Sequence, residues 1–216
     1  MASTVAPLSE VAIANMAADV ISERPLASLD DGTPFAQIVS RQFGFCRDEV
    51  ARAYPWNFLK KRSSLAVDTA VPAFGWLYSY TVPTDLVRLL PLRLGGYLTA
   101  DEIPSEYESG KILCNQVAPL KIRYIRRETN PTLFDPLFAR ALGLRLAIEG
   151  AMKVTGKSGY LQVATDRLRV VMAEAALINS LEQGMTEGYA TDDDIFSVRG
   201  TSSIGTSLST SQFYSF

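Results

Sequence analysis

Pro55 constrains this chain more than any other single residue, because it closes a helical pattern and opens an aromatic one. Residues Arg47 to Arg62 read RDEVARAYPWNFLKKR. Proline lacks a backbone N–H and its ring clashes with the preceding turn, so a helix must break or kink near Ala53–Tyr54. Tyr54, Pro55, Trp56 and Phe58 then make an apolar corner, and Lys60, Lys61 and Arg62 form a basic exit. Such a corner reads as packing at a domain junction rather than as chemistry.

Helical periodicity lies on the N-terminal side of this break. The pattern predicts a first helix over about Ser9–Ile21, capped by Ser9, with Ile13, Met16, Ala17 and Val20 on one face. Pro25 and Asp30-Asp31-Gly32 mark a loop. A second helix is predicted from Pro34 to Ala53, with Pro34 in its first turn and a stripe of Phe35, Ile38, Val39, Gln42, Cys46 and Val50.

After Arg62 the period falls to two. Strands are predicted at Leu65–Thr69, at Gly75–Val82, in an apolar segment over Leu86–Leu94 that Pro91 interrupts, at Lys111–Asn115 and at Leu120–Arg127. In the second of these, Trp76, Tyr78, Tyr80 and Val82 are expected to share one face. Gly95-Gly96 and Ser109-Gly110 are turn signals. Residues 63–127 thus read as a small antiparallel β unit.

Helical spacing returns at Asp135-Pro136, a cap followed by proline in the first turn. The third helix is predicted to run to about Val154 and to stop at Gly156. The fourth opens at Ser158-Gly159 and carries Leu161, Ala164, Leu168, Val171, Ala175, Ile178 and Leu181 as its core stripe. The short connection makes these two helices antiparallel neighbours. The expected fold is α+β: a helical bundle from both ends of the chain (1–62 and 128–187) with a small antiparallel β domain (63–127) inserted. An extended C-terminal arm, 188–216, is rich in Ser, Thr, Gly and Asp, too polar to fold alone. Its Ile195, Phe196, Val198, Phe213, Tyr214 and Phe216 are candidates for docking on a partner, against the plainer reading of a frayed terminus.

Composition narrows the chemistry. The 216 residues include no histidine, which removes the commonest general base and metal ligand, so Ser-His-Asp and Cys-His arrangements are impossible within this chain. Two cysteines, Cys46 and Cys114, are too few for a structural zinc site and are expected to be buried thiols. No phosphate-binding glycine loop, HExxH or Gly-x-Ser-x-Gly motif is present. Asp192-Asp193-Asp194 reads as a solvated acidic run, Asp30-Asp31 as a turn, and Asp48, Glu49 and Asp135 have no spacing that pairs carboxylates. No catalytic residue, cofactor or metal is expected. The formal net charge of −2 argues against a protein that coats nucleic acid. The N-terminus lacks a basic n-region and no apolar run approaches a membrane span, so a soluble protein made in a cytoplasm, with no membrane partner, is expected.

Two basic groups remain, Lys60-Lys61-Arg62 and Arg123-Arg126-Arg127, both at predicted junctions of the helical and β parts. They read as solvated charge, as salt bridges between domains or subunits, or as sequence-blind phosphate contacts. Trp56, Phe58, Trp76, Tyr78 and Tyr80 read as aromatic core rather than as a stacking platform for single strands.

The block RDEVARAYPWNFLKKR resembles the helix-end signature of the tail tubular protein A family, head-to-tail adaptors or gatekeepers of short-tailed bacteriophages. Three further pieces occur in the family's order. Glu10–Ala17 resembles its opening helix. Phe74–Tyr80 with Val82–Arg88 resembles its aromatic strand and proline turn. Ala118–Ile125 with Phe134–Phe138 resembles the strand leading into its third helix. The resemblance spans residues 10–182. It implies a structural, non-enzymatic virion protein, assembled in the host cytoplasm, that forms a ring, generally a dodecamer, below the portal protein. The helical part would face the portal, and the β part the tail nozzle protein. The ring would continue the channel for double-stranded DNA, without sequence specificity. C-terminal arms of related adaptors reach into the portal. The alternative from another functional class is a nucleic-acid-binding module that uses the aromatic sheet and the basic cluster.

Overall fold

The computed structural model describes residues 7–98 and 100–182. Among these residues the protein is α+β, with four helices and two small antiparallel sheets. Helix α1, Glu10–Ile21, starts where the Ser9 hydroxyl accepts the Ala12 N–H at 3.1 Å. Helix α2, Pro34–Ala53, has Thr33 as its cap and Pro34 in its first turn, where a missing N–H costs nothing. It stops at Tyr54, whose backbone is extended ahead of Pro55. A short 3-10 turn, Asn57–Leu59, delivers the chain into β1, Lys60–Leu65.

Strands β2 (Tyr78–Thr81), β3 (Leu86–Leu89), β4 (Ser105–Glu108), β5 (Lys111–Cys114) and β6 (Leu120–Arg126) follow. The first sheet has the order β1-β6-β3 and the second β2-β5-β4. Strands β4 and β5 are joined through Ser109 and Gly110, both with positive φ (48° and 77°), the two-residue geometry that matches strand twist. Helix α3, Pro136–Thr155, is capped by Asp135, whose carboxylate accepts the N–H groups of Leu137 and Phe138. It ends at Gly156 in the left-handed region. Helix α4, Ser158–Glu182, returns beside it.

Helix α3 is the hub, with α1, α2 and α4 all packed on it. Two of its glycines permit this approach. A β-carbon at Gly150 would lie 2.8 Å from the Phe35 ring, and one at Gly143 would lie 3.3 Å from the Ile13 carbonyl oxygen. Apolar side chains of all four helices share one core with Trp56, Leu59, Val87, Leu90 and Ile125. A second core lies between the sheets and contains Leu65, Tyr80, Leu92, Ile112, Cys114, Leu120, Ile122 and Tyr124.

The structure corrects several local expectations. The strand expected at Leu65–Thr69 lies earlier, because Lys60–Leu65 pairs antiparallel with Leu120–Ile125, so the basic exit is itself a strand. Strand β4 has no apolar alternation and was not expected from its sequence; the tight turn and pairing with β5 create it. Trp76 precedes β2 and does not share the Tyr80 face; its indole N–H donates to Glu106 on the other side of the sheet. In α4, Ile178 and Leu181 are exposed, and Asn179 is buried in their stead.

Candidate functional site

The corner after α2 is a cluster of aromatic rings. Trp56 is fully buried, and its indole N–H donates to the Val50 carbonyl at 2.9 Å, closing the last turns of α2 onto the break. Its ring meets Phe138 edge-on at 5.2 Å and Tyr54 at 5.6 Å. Phe58 stands 5.1 Å from Phe138, which in turn stacks edge-on with Phe134 at 5.0 Å. These centroid distances and tilts are those that ring quadrupoles favour. Asn179 joins the corner to α4: its side-chain oxygen accepts the Asn57 N–H at 3.0 Å, and its backbone oxygen accepts the Asn57 amide at 3.1 Å. Pro55 places these rings at the start of the passage from helices to strands.

The six basic candidates separate into distinct roles. Arg127 reaches back to α2, where its Nε lies 2.8 Å from an Asp48 oxygen that shares its carboxylate with Arg47. Lys61 pairs within the strands with Asp85 at 2.9 Å, and the Tyr124 hydroxyl donates to the other Asp85 oxygen at 2.9 Å. Burial would raise the Asp85 carboxyl, but these two donors outweigh it and hold the group below the usual carboxylate range. Arg126 pairs locally with Glu128 at 2.6 Å. Lys60, Arg62 and Arg123 lie on the face of the first sheet turned away from the second. Two further arginines, which no sequence pattern singled out, clasp the helices to the strands. Arg52 donates to the Val87 carbonyl at 2.7 Å, and Arg88 donates to the Arg52 carbonyl at 3.2 Å.

Register defines two outward surfaces. Directly opposed residues of an antiparallel pair share a face. On the outer face of the first sheet, Arg62 opposes Arg123, Ser64 opposes Lys121 and Lys60 opposes Ile125. The Ile125 end is sealed against the helical core, whereas Arg62 and Lys121 are exposed. On the outer face of the second sheet, Glu106 and Glu108 oppose Leu113 and Lys111. The 70–76 loop arches over this face and leaves a hollow of about 570 Å³ lined by Val71, Phe74, Trp76, Glu106, Glu108 and Lys111, among others. Phe74 is 88% exposed. Asp68 anchors the loop: it accepts from Ser79 at 3.2 Å and Thr81 at 3.0 Å and pairs with Lys111 at 2.9 Å, and Lys111 above all holds its carboxyl below the usual range. The sequence pattern signalled neither the hollow nor the Asp68 anchor, because their residues come from segments far apart in the chain.

Neither cysteine is poised as a nucleophile. Burial pushes the Cys46 thiol up to about 11, against the opposing pull of Arg145, and burial likewise raises Cys114. Among the described residues, no group of three or more acidic or thiol side chains can hold a metal ion. No helix among them is long and apolar enough to cross a membrane. The arm candidates Ile195, Phe196, Val198, Phe213, Tyr214 and Phe216, and the run Asp192-Asp193-Asp194, lie outside the described residues. No known family model matches the chain, and no curated protein matches it at a significant level.

Proposed function

We propose that this chain is a structural subunit of a bacteriophage head-to-tail connector, of the tail tubular protein A kind. In this reading the chain forms a ring, a dodecamer, between portal and tail nozzle, continues the DNA channel and transforms no substrate. The observation that carries the reading is the run of four family-like sequence blocks in order, among them the RDEVARAYPWNFLKKR corner. The geometry supports it at one point in particular. That corner sits where the helical core meets the first strand, and Arg52, Arg88, Asp48 and Arg127 bind the same joint. A connector needs such a joint, because it holds two different partners at its two ends.

In finer detail, segments 1–62 and 128–187 form the helical bundle and 63–127 an inserted β domain. The shared core of α1 to α4 and the separate core between the sheets support this division. The helical part engages the portal, the β part the nozzle, and the 188–216 arm docks into the portal assembly. Twelve weak arm contacts on one portal gain strength through effective concentration. Electron microscopy of the full chain mixed with its portal tests the reading. A ring coaxial with the portal is expected; a portal complex from which the chain is absent, or off axis, overturns it.

A second reading, a nucleic-acid-binding module, is favoured by the exposed cations Arg62 and Lys121 on one sheet face. The aromatic residues do not favour it, because Tyr80 is fully buried and the Trp76 indole is engaged by Glu106. Salt-dependent affinity of the isolated chain for random-sequence duplex distinguishes the two.

A further inference from the structure

Helix α4 is apolar on two sides. Its core side buries Ala164, Val171 and Ala175. On the other side Val163, Val170 and Leu177 recur at seven-residue steps and are 42%, 66% and 62% exposed, and Leu181, one turn further on, is 73% exposed. That spacing keeps them in one stripe along the helix. Among the described residues, α1, α2 and α3 each leave a single large apolar side chain exposed: Met16, Phe45 and Met152. Single residues of this sort need no explanation, whereas a continuous stripe marks a contact surface.

We propose that this stripe is the seam of a two-fold dimer, in which α4 packs antiparallel on α4 of a second copy of the chain. The charges beside the stripe select both the occupant and its direction. Arg167 and Glu174 flank it on one side, both exposed, and neither has an ion-pair partner among the described residues. Val170 stands midway between them. An antiparallel pair whose axis passes beside Val170 therefore sets Arg167 of each copy against Glu174 of the other, twice over. A parallel pair in register sets Arg167 against Gln162 and gives it no counter-charge. The other charges near the seam are matched within the chain: Asp166 pairs with Arg169 at 3.5 Å and accepts the Gln162 amide at 3.0 Å. Ala173, beside Val170, lets the two backbones approach at the axis, and Leu177 of each copy falls between Val163 and Val170 of the other. The overlap from Val163 to Ile178 is about 24 Å of helix, at the lower end of stable interfaces, so an affinity on the order of micromolar is expected. A two-fold contact is complete after two copies, so it is not the head-to-tail contact of a ring. The inference therefore goes beyond the connector reading and stands without it, since it concerns the chain on its own.

Charge reversal in the full-length chain, read by sedimentation equilibrium without portal, tests this. Arg167→Glu and Glu174→Arg, each alone, set like charges together and are expected to weaken dimerisation at least about tenfold. Both changes in one chain, or an equimolar mixture of the two single variants, restore every pairing and are expected to dimerise as the wild type does. Residues seven apart lie about 10 Å apart along one helix, so this recovery reports pairing between copies, and it also shows that the variants are folded. Cysteine placement reads the direction, because the natural Cys46 and Cys114 are buried. Val170→Cys, beside the axis, is expected to give a disulfide-linked dimer under a mild oxidant. Val163→Cys is not, because it would stand about 22 Å along the helix from its own copy. A wild-type chain that stays monomeric at about 100 times the expected micromolar constant overturns the proposal. So does a single reversal without effect, a double variant as weak as the single ones, or cross-linking at 163 as ready as at 170.

Discussion

Trp56 shows how one side chain can hold a junction. It follows a proline that ends α2, and its indole N–H returns to Val50 of the same helix, so the break is folded back on its own origin. Its ring is fully buried against Phe138 of α3. Trp56→Ala is expected to destabilise the protein by about 3–5 kcal/mol, from lost burial and the cavity left behind. Urea unfolding measures this, and a loss below about 0.5 kcal/mol would contradict the packing role. At this scale local signals were readable. Ser9, Thr33 and Asp135 precede helices whose first N–H groups they accept, and Pro34 and Pro136 stand in first turns. Each depends only on residues two or three positions away. The acceptor for Asn57 was not readable, because Asn179 lies far along the chain and its polar side chain interrupts an apolar stripe.

Among the elements, the strands depend most on partners. β1 is KKRSSL, a run with little strand preference of its own, and it becomes a strand because Leu120–Ile125 supplies the ladder. β4, SEYE, depends on β5 in the same way and is exposed on both faces. Helix periodicity suffices for α1 to α4, whereas these strands required pairings that no local window contains. Asp85 reinforces the first sheet by joining Lys61 of β1 to Tyr124 of β6. Its carboxyl is held below its unfolded value, near 4. Its stabilising contribution is therefore fully present above about pH 4 and is lost as pH falls through the lower folded value. Asp85→Asn should be less stable than the wild type at pH 7, and the gap should narrow as the pH drops below about 4. Denaturant titrations at pH 7, 5 and 3 test this; a gap of equal size at all three would refute the linkage.

For the molecule as a whole, among the described residues the two cores reach no further along α4 than Ala175. Deleting 190–216 is therefore expected to leave a cooperatively melting subunit with helix content close to that of the parent. Under the proposed connector role, the same truncation should join the portal poorly. Co-sedimentation with portal reads this directly, and binding equal to that of the full chain would refute the docking role proposed for Ile195, Phe196, Val198, Phe213, Tyr214 and Phe216.

The clasp between Arg52 and Arg88 has a consequence for how the helices stay joined to the strands in acid. Each guanidinium grips a main-chain oxygen instead of an acidic side chain. Main-chain oxygens do not titrate, and they are present whatever residue occupies the position. The bracket therefore stays shut in acid that would release Asp85, so α2 remains fastened to β3 after the link from Lys61 to Tyr124 through Asp85 has been lost.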